Sequence, residues 1–102
     1  MKPKEIPLTG TVFFILLAFS KPNYGYFAIQ IIEDITSGAV RIAAGTMYGA
    51  IENLLTSDML TQLSSDSDRG KMYQTTEYGQ QVLASDVARM QLTIKLYQVM
   101  GE

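Results

Sequence analysis

Residues 44–55 read AGTMYGAIENLL, and residues 69–79 read RGKMYQTTEYG. In the first segment, apolar side chains recur every three or four residues, as they do on the buried face of a helix. These side chains are Met47, Ile51, Leu54 and Leu55. The spacing predicts a helix over 45–57.

The second segment belongs to a predicted β-hairpin. Residues 59–63 and 71–76 are the expected strands, and the polar run SSDSDRG at 64–70 is the loop between them. A two-stranded hairpin is marginal in water on its own, so this one must pack against helices. The sequence therefore predicts a helix and a hairpin that share one core.

A strongly apolar helix is predicted near the N-terminus, after a loose arm over residues 1–7. The run TVFFILLAF at 11–19 is apolar nearly all round. A helix that begins at Thr9 or Thr11 and ends at Phe19 therefore needs partners on more than one side. The run is shorter than the roughly 20 apolar residues that a membrane span requires. We expect a buried helix and no membrane partner.

A further helix is predicted over 24–35, after a break at 21–23. Its apolar residues at three-residue spacing are Ile29, Ile32 and Ile35. The β-branched side chains within 39–43 predict a short strand that leads into the helix at 45–57.

The C-terminal segment, residues 77–102, is predicted to be one long helix over 77–100. Its apolar seam follows the alternating four- and three-residue spacing of a heptad and comprises Leu83, Val87, Met90, Ile94 and Tyr97. A helix of about 24 residues is about 36 Å long, more than a body of this size can cover. We expect the seam to be a homodimer interface. The alternative is a helix that packs only on its own core.

The composition limits the possible functions. The chain has no Cys and no His, which removes thiolate and imidazole ligands and the commonest general base. The Asp and Glu residues are scattered, so we expect no enzyme, no metal site and no cofactor. The absence of Cys fits a cytoplasmic protein. The net charge of −2 gives no overall attraction to nucleic acid, so any such attraction must be local.

Three motifs in this order resemble the PadR family of transcriptional regulators. Residues 24–26 (YGY) match the Tyr-Gly-Tyr at the start of the family's second helix. Residues 45–48 (GTMY) match the Gly-Thr-Leu-Tyr that opens its recognition helix. Residues 69–79 match its Arg-x-Lys-Tyr-Tyr-x-Leu-Thr-x-x-Gly strand and turn, with Met72 for the first Tyr and Thr75 for Leu.

The resemblance implies a mainly α fold with a small β-hairpin (α+β). Residues 8–76 would form a winged helix-turn-helix that binds DNA, and residues 77–102 a dimerisation helix. It also implies a transcriptional repressor that acts as a homodimer on double-stranded operator DNA, with a planar aromatic or phenolic effector. The alternative is a degenerate winged-helix dimer that senses a ligand or binds a protein, with weak or no DNA binding.

The expected DNA contacts lie on the recognition helix and the wing. Hydroxyl groups near the helix N-terminus can donate to phosphates, an Asn can pair with adenine, and basic residues of the wing can bind the DNA backbone. The full predicted set is Arg41, Thr46, Tyr48, Asn53, Arg69, Lys71 and Tyr73. Tyr48, Asn53 and Tyr73 could instead be ordinary packed or solvated residues. Arg69 and Lys71 could instead belong to a loop with salt bridges to Asp66 and Asp68.

Two features weaken the expected DNA face. Residues 36–76 hold one more acidic than basic residue, and Gly49 stands where the family usually has a basic side chain. Gly49 could instead let the helix backbone approach DNA. The expected effector site comprises Phe13, Leu16, Val87 and Met90, which could also be plain dimer-core residues.

Overall fold

The computed structural model describes residues 8–63 and 70–101. The elements in chain order are α1 (Gly10–Ala18), β1 (Asn23–Tyr24), α2 (Gly25–Ile35), α3 (Ala44–Thr56), β2 (Leu60–Leu63), β3 (Met72–Thr75) and α4 (Glu77–Met100). The mainly α fold with a small sheet is confirmed. The predictions for residues 1–7, for residues 64–69 and thus for Arg69 lie outside the described residues.

The sheet has three antiparallel strands in the order β1-β3-β2. The predicted hairpin is its β2–β3 half, with Leu60 opposite Thr75 and Leu63 opposite Met72. On the other edge of β3, Asn23 pairs with Tyr73. The fold therefore ties the connection between α1 and α2 into the same sheet as the hairpin.

The predicted strand at 39–43 is wrong. The chain turns at Ser37 and Gly38, whose φ angles of 53° and 82° lie in the left-handed region. The Val40 N–H donates to the Thr36 hydroxyl at 3.0 Å, so it does not enter a strand ladder. Residues 40–43 are irregular. The strand that completes the sheet is instead β1 at residues 23–24, which were predicted as a break and the start of a helix.

The core lies around α1, which packs against α2 and α4. Fully buried side chains come from every helix and include Ile15, Leu16, Phe19, Ile32, Met47 and Val82. This arrangement agrees with the all-round apolar character of α1, which needs neighbours on more than one side.

Thr75 joins the sheet to the end of α1. Its N–H donates to the Phe19 carbonyl at 2.8 Å, and its hydroxyl donates to the Leu16 carbonyl at 2.7 Å. The last carbonyl groups of a helix have no hydrogen-bond donor within the helix, and Thr75 supplies donors to two carbonyls at this end of α1. β3 is thereby held against the core.

The start of α4 packs closely on Met59, in the connection between α3 and β2. The Thr76 hydroxyl caps α4 by accepting from the Gly79 N–H at 3.0 Å, and the Thr76 N–H donates to the Met59 carbonyl at 3.0 Å. A Cβ added at Gly79 would lie 2.5 Å from the Met59 carbonyl oxygen and 2.6 Å from Thr75 Cγ2. Only glycine fits this approach.

A buried carboxylate links the N-terminal part of the chain to α4. Asp86 is 1 % exposed. It accepts from Arg89 Nε at 2.9 Å and from the Leu8 N–H at 3.4 Å. These bonds satisfy a charge that would be costly to bury alone.

The outer part of α4 leaves the core. Every residue from 91 to 100 is exposed, including the large apolar side chains Leu92, Ile94, Leu96, Tyr97, Val99 and Met100. The predicted interface seam is therefore part core and part exposed surface. Leu83 is 6 % exposed and belongs to the core of its own chain, because the first turns of α4 pack on α1 and β3. Val87, Ile94 and Tyr97 are accessible, and Met90 is half-buried.

None of the helices in the described ranges is long and apolar enough to cross a bilayer.

Candidate nucleic-acid interface

The N-terminus of α3 is open to solvent and has no side-chain cap. Ala43 occupies the cap position and offers no acceptor, and residues 43–46 are all exposed. The first N–H groups of a helix have no partner within the helix, and they lie at its positive dipole end. The first turn of α3, with the Thr46 hydroxyl beside it, is therefore suited to an anion such as a phosphate.

The outer face of α3 is nearly bare. Its core side carries Met47, Ile51 and Leu54. At about 3.6 residues per turn, the line directly opposite consists of Gly45, Gly49, Glu52 and Thr56, all of them exposed. Thr46 and Asn53 lie along one flank of this line and Tyr48 along the other.

An open groove of about 460 Å³ separates α3 from the sheet and from the start of α2. Four tyrosine rings and two charged side chains are among its lining groups: Tyr24, Tyr26, Tyr48, Tyr73, Glu52 and Lys71. The predicted residues Tyr48, Lys71 and Tyr73 thus come together here. Asn53 does not join them. It borders a separate, shallow hollow beside Leu8 and Val12.

Tyr48 is positioned by Gly25. A Cβ added at Gly25 would lie 2.9 Å from Tyr48 Cε1 and 3.1 Å from its hydroxyl oxygen. The ring therefore rests directly on the first turn of α2, while 44 % of the residue stays exposed. This contact fixes the direction of the phenol, which can donate to a phosphate.

Tyr73 is first a core residue. It is 6 % exposed, and its ring meets Phe19 edge-on with 5.8 Å between the ring centroids. Burial, together with the nearby Tyr48 and Glu52, raises the pKa of the Tyr73 phenol above its ordinary value. Tyr73 therefore stays protonated over the physiological range, and it lines the groove with little of its surface exposed.

The basic residues differ in whether an acidic side chain forms an ion pair with them. Arg41 is paired with Glu33, with 3.1 Å between Nε and Oε1, so its charge is partly compensated. The other ion pair among residues 8–63 and 70–101 is Arg89 with Asp86. Lys71 is exposed and has no such pair in those ranges, so it is the better candidate for a phosphate.

Sequence reasoning missed two features of this surface. Glu52 was not named as a site residue, although it follows Tyr48 by about one helical turn. Tyr26 and Phe27 form an exposed stack with 4.7 Å between centroids, and Tyr24 stacks on Tyr26 at 5.7 Å. The run of three aromatic residues around Gly25 was the available signal for the stack.

The residues predicted for an effector site are not equally accessible. Leu16 is fully buried within the chain, so it cannot line a site at the surface. Phe13 is half-buried and packs edge-on against Phe14. Val87 and Met90 remain partly accessible on α4. Across the part of the chain that the structure describes, no cluster of three acidic side chains is arranged to hold a metal ion.

The model of the Transcriptional regulator PadR-like family matches residues 14–85, more than half of the chain. A PadR family transcriptional regulator from Eggerthella lenta DSM 2243 is similar in structure, with a TM-score of 0.74 and 22 % identity over 90 % of this chain and 81 % of that one. A transcriptional regulator from Clostridium thermocellum gives a TM-score of 0.76 and 22 % identity over 91 % and 92 %.

A third similar structure is that of Bacillus subtilis PadR in complex with operator DNA. Its TM-score is 0.71 and its identity 17 %, over 94 % of this chain and 62 % of that one. A comparison with curated protein sequences gives no match. At these identities the solved structures show a shared fold.

Proposed function

Because this chain belongs to the PadR-like family of transcriptional regulators, we propose that it binds double-stranded DNA with α3 and the β2–β3 hairpin. One observation carries the proposal. Tyr48 and Glu52 on the exposed side of α3 and the exposed Lys71 of the hairpin line the same groove. Such a surface can meet a DNA helix with both elements at once, as a recognition helix and a wing do.

The chemistry of the surface suggests how it would hold DNA. In helix-turn-helix proteins the N-terminal part of the recognition helix enters the major groove. The open first turn of α3, the Thr46 hydroxyl and the Tyr48 phenol would then face phosphates, while Lys71 would bind the backbone from the wing side. The similar Bacillus subtilis PadR is in complex with operator DNA, which supports this use of the fold.

The exposed apolar half of α4 supports a homodimer. Val87, Ile94 and Tyr97 share one face of the helix and are 38 %, 57 % and 76 % exposed, and contiguous apolar surface of this kind usually has a partner. A second copy with the same helix would cover it and present two α3 helices to DNA. A dimer that occupies promoter DNA would act as a repressor.

A gel-shift titration tests this function. The folded chain is added to DNA from upstream of its own gene at low and physiological salt, and sedimentation gives its oligomeric state. We expect a dimer whose shift weakens steeply with salt. A folded dimer that shifts no DNA at low salt would contradict DNA binding and favour the ligand-sensing or protein-binding alternative.

The variant Ile94→Glu tests the dimer in the same assays. A carboxylate on the exposed face of α4 should give a monomer in sedimentation and lose the shift, because the two half-sites are then bound independently. Lys95→Gln, next along the helix, is the matched control. A dimer that persists in Ile94→Glu would place the interface elsewhere.

A further inference from the structure

We propose that Glu52 helps to select the operator, by accepting a hydrogen bond from the amino group of a cytosine in the major groove. The inference rests on the proposed DNA-binding function and adds to it a specificity-determining residue. It concerns the outer face of α3, where the sequence offers no Lys or Arg at all.

The position of Glu52 puts it where bases would be. It lies on the line of α3 opposite the buried Met47 and Ile51. Along that line Gly45 and Gly49 carry no side chain, and a Cβ added at either would have no neighbour within 4 Å. The helix backbone can therefore come close to DNA, and Glu52 is the longest side chain that projects from this strip.

The carboxylate of Glu52 is unoccupied. Among the described residues it has no ion pair and no side-chain hydrogen bond. Apart from the backbone bonds of the helix, the described hydrogen bonds engage Glu52 through its carbonyl, which accepts from the Thr56 hydroxyl at 3.0 Å. Glu33 and Asp86 differ in this respect, because each is paired with an arginine. The side chain of Glu52 can thus accept from a ligand without breaking an internal contact.

The chemistry of a carboxylate selects the base. An ionised carboxylate only accepts hydrogen bonds, so it needs a donor on the floor of the groove. Cytosine presents its N4 amino group there, whereas guanine presents two acceptors and adenine places its N7 acceptor beside its amino group. Lys71 lines the same groove and offsets the negative charge of Glu52 near the phosphates.

Selection from a randomised duplex library tests the inference, with the wild-type chain, Glu52→Gln and the control Glu77→Gln. The control makes the same change at an exposed position in the first turn of α4. We expect wild type to enrich cytosine at one position of each half-site. Glu52→Gln should lose that preference and turn to adenine, with which glutamine pairs. On the wild-type operator it should bind about 5- to 150-fold more weakly.

The possible outcomes separate this inference from the proposed function. Enriched duplexes with the same cytosine in wild type, Glu52→Gln and Glu77→Gln would refute the inference alone. A uniform gain in affinity of Glu52→Gln for all sequences would also refute it, because Glu52 would then only repel phosphates. A folded wild-type dimer that enriches no duplex would refute both.

Discussion

Replacement of Lys71 by glutamine should flatten the salt dependence of DNA binding. Each phosphate contact contributes about −0.9 to the slope of log affinity against log salt. The wing residues Arg69 and Lys71, together with the exposed Lys21 that precedes β1, would give about six contacts in a dimer and a slope of about −5.4. Arg41 is left out because Glu33 already pairs with it at 3.1 Å. Lys71→Gln removes two contacts, so its slope should be about −3.6.

These slopes predict an easily measured difference. Between 50 and 200 mM salt, wild-type affinity should fall about 2,000-fold and that of Lys71→Gln about 150-fold. Fluorescence anisotropy of a labelled operator duplex at several salt concentrations gives both slopes. Lys95→Gln, exposed on the outer part of α4, changes the charge equally and should keep the wild-type slope. Parallel lines for wild type and Lys71→Gln, or equal flattening in both variants, would refute a wing contact through Lys71.

Three further predictions concern stability, each measured by urea unfolding at a fixed protein concentration, since dimerisation would make stability concentration-dependent. Gly79→Ala should lower the free energy of unfolding by about 1–3 kcal/mol, because its Cβ meets backbone at 2.5 Å. Gly49→Ala should instead raise the free energy of unfolding by about 1 kcal/mol, since alanine is the better helix former and the space around Gly49 is open. If Gly79→Ala and Gly49→Ala changed the free energy of unfolding in the same direction, the packing described would be contradicted. Asp86→Ala should lower it by about 1–3 kcal/mol, because Arg89 and the Leu8 N–H lose their acceptor. Asp86→Asn should lower the free energy of unfolding by less. If neither variant lowered it, the buried contacts of Asp86 would contribute nothing to stability. The raised pKa of Tyr73 means that the native state holds its phenolic proton more tightly than the unfolded state, whose pKa is about 10. The associated stability is complete below that pKa and is lost as the pH rises through the native pKa. Tyr73→Phe should therefore lose less stability than wild type between pH 8 and pH 11, and equal losses would show that Tyr73 does not cause the alkaline decline.

The helices could be predicted because their signals are local. Apolar periodicity gave α3 and α4 to within about a residue or two, and the polar run between two β-prone segments gave the hairpin. The third strand could not be found in this way. Asn23 and Tyr24 are too few to show the alternating pattern of a strand, and they form β1 because the free edge of β3 lies beside them.

The interface seam shows a second limit. Leu83 and Tyr97 lie two heptads apart and so occupy equivalent positions in the pattern, yet one is 6 % and the other 76 % exposed. Periodicity identifies the face of a helix that is apolar. It does not say where along the helix the body of the chain ends.

For the candidate site, motif matches located Tyr48 and Lys71 but not their surroundings. The Arg41–Glu33 pair spans a turn and follows no helical spacing, so the sequence did not reveal that this charge is compensated. Glu52 was not among the predicted site residues because a single acidic residue on a helix usually faces only water. The role proposed for Glu52 depends on the two glycines that share its line and on its having no ion pair with another described residue, and the sequence alone shows neither.

The short strand β1 has a consequence for how the chain can respond to a signal. β1 runs directly into α2 and pairs with β3, and Tyr48 of α3 rests on Gly25 at the start of α2. The elements that would touch DNA are thereby joined into one rigid body. In the proposed homodimer, a signal would then alter binding by changing the distance or angle between two such bodies. Regulation of this kind would respond to the spacing of the operator half-sites rather than to their base sequence.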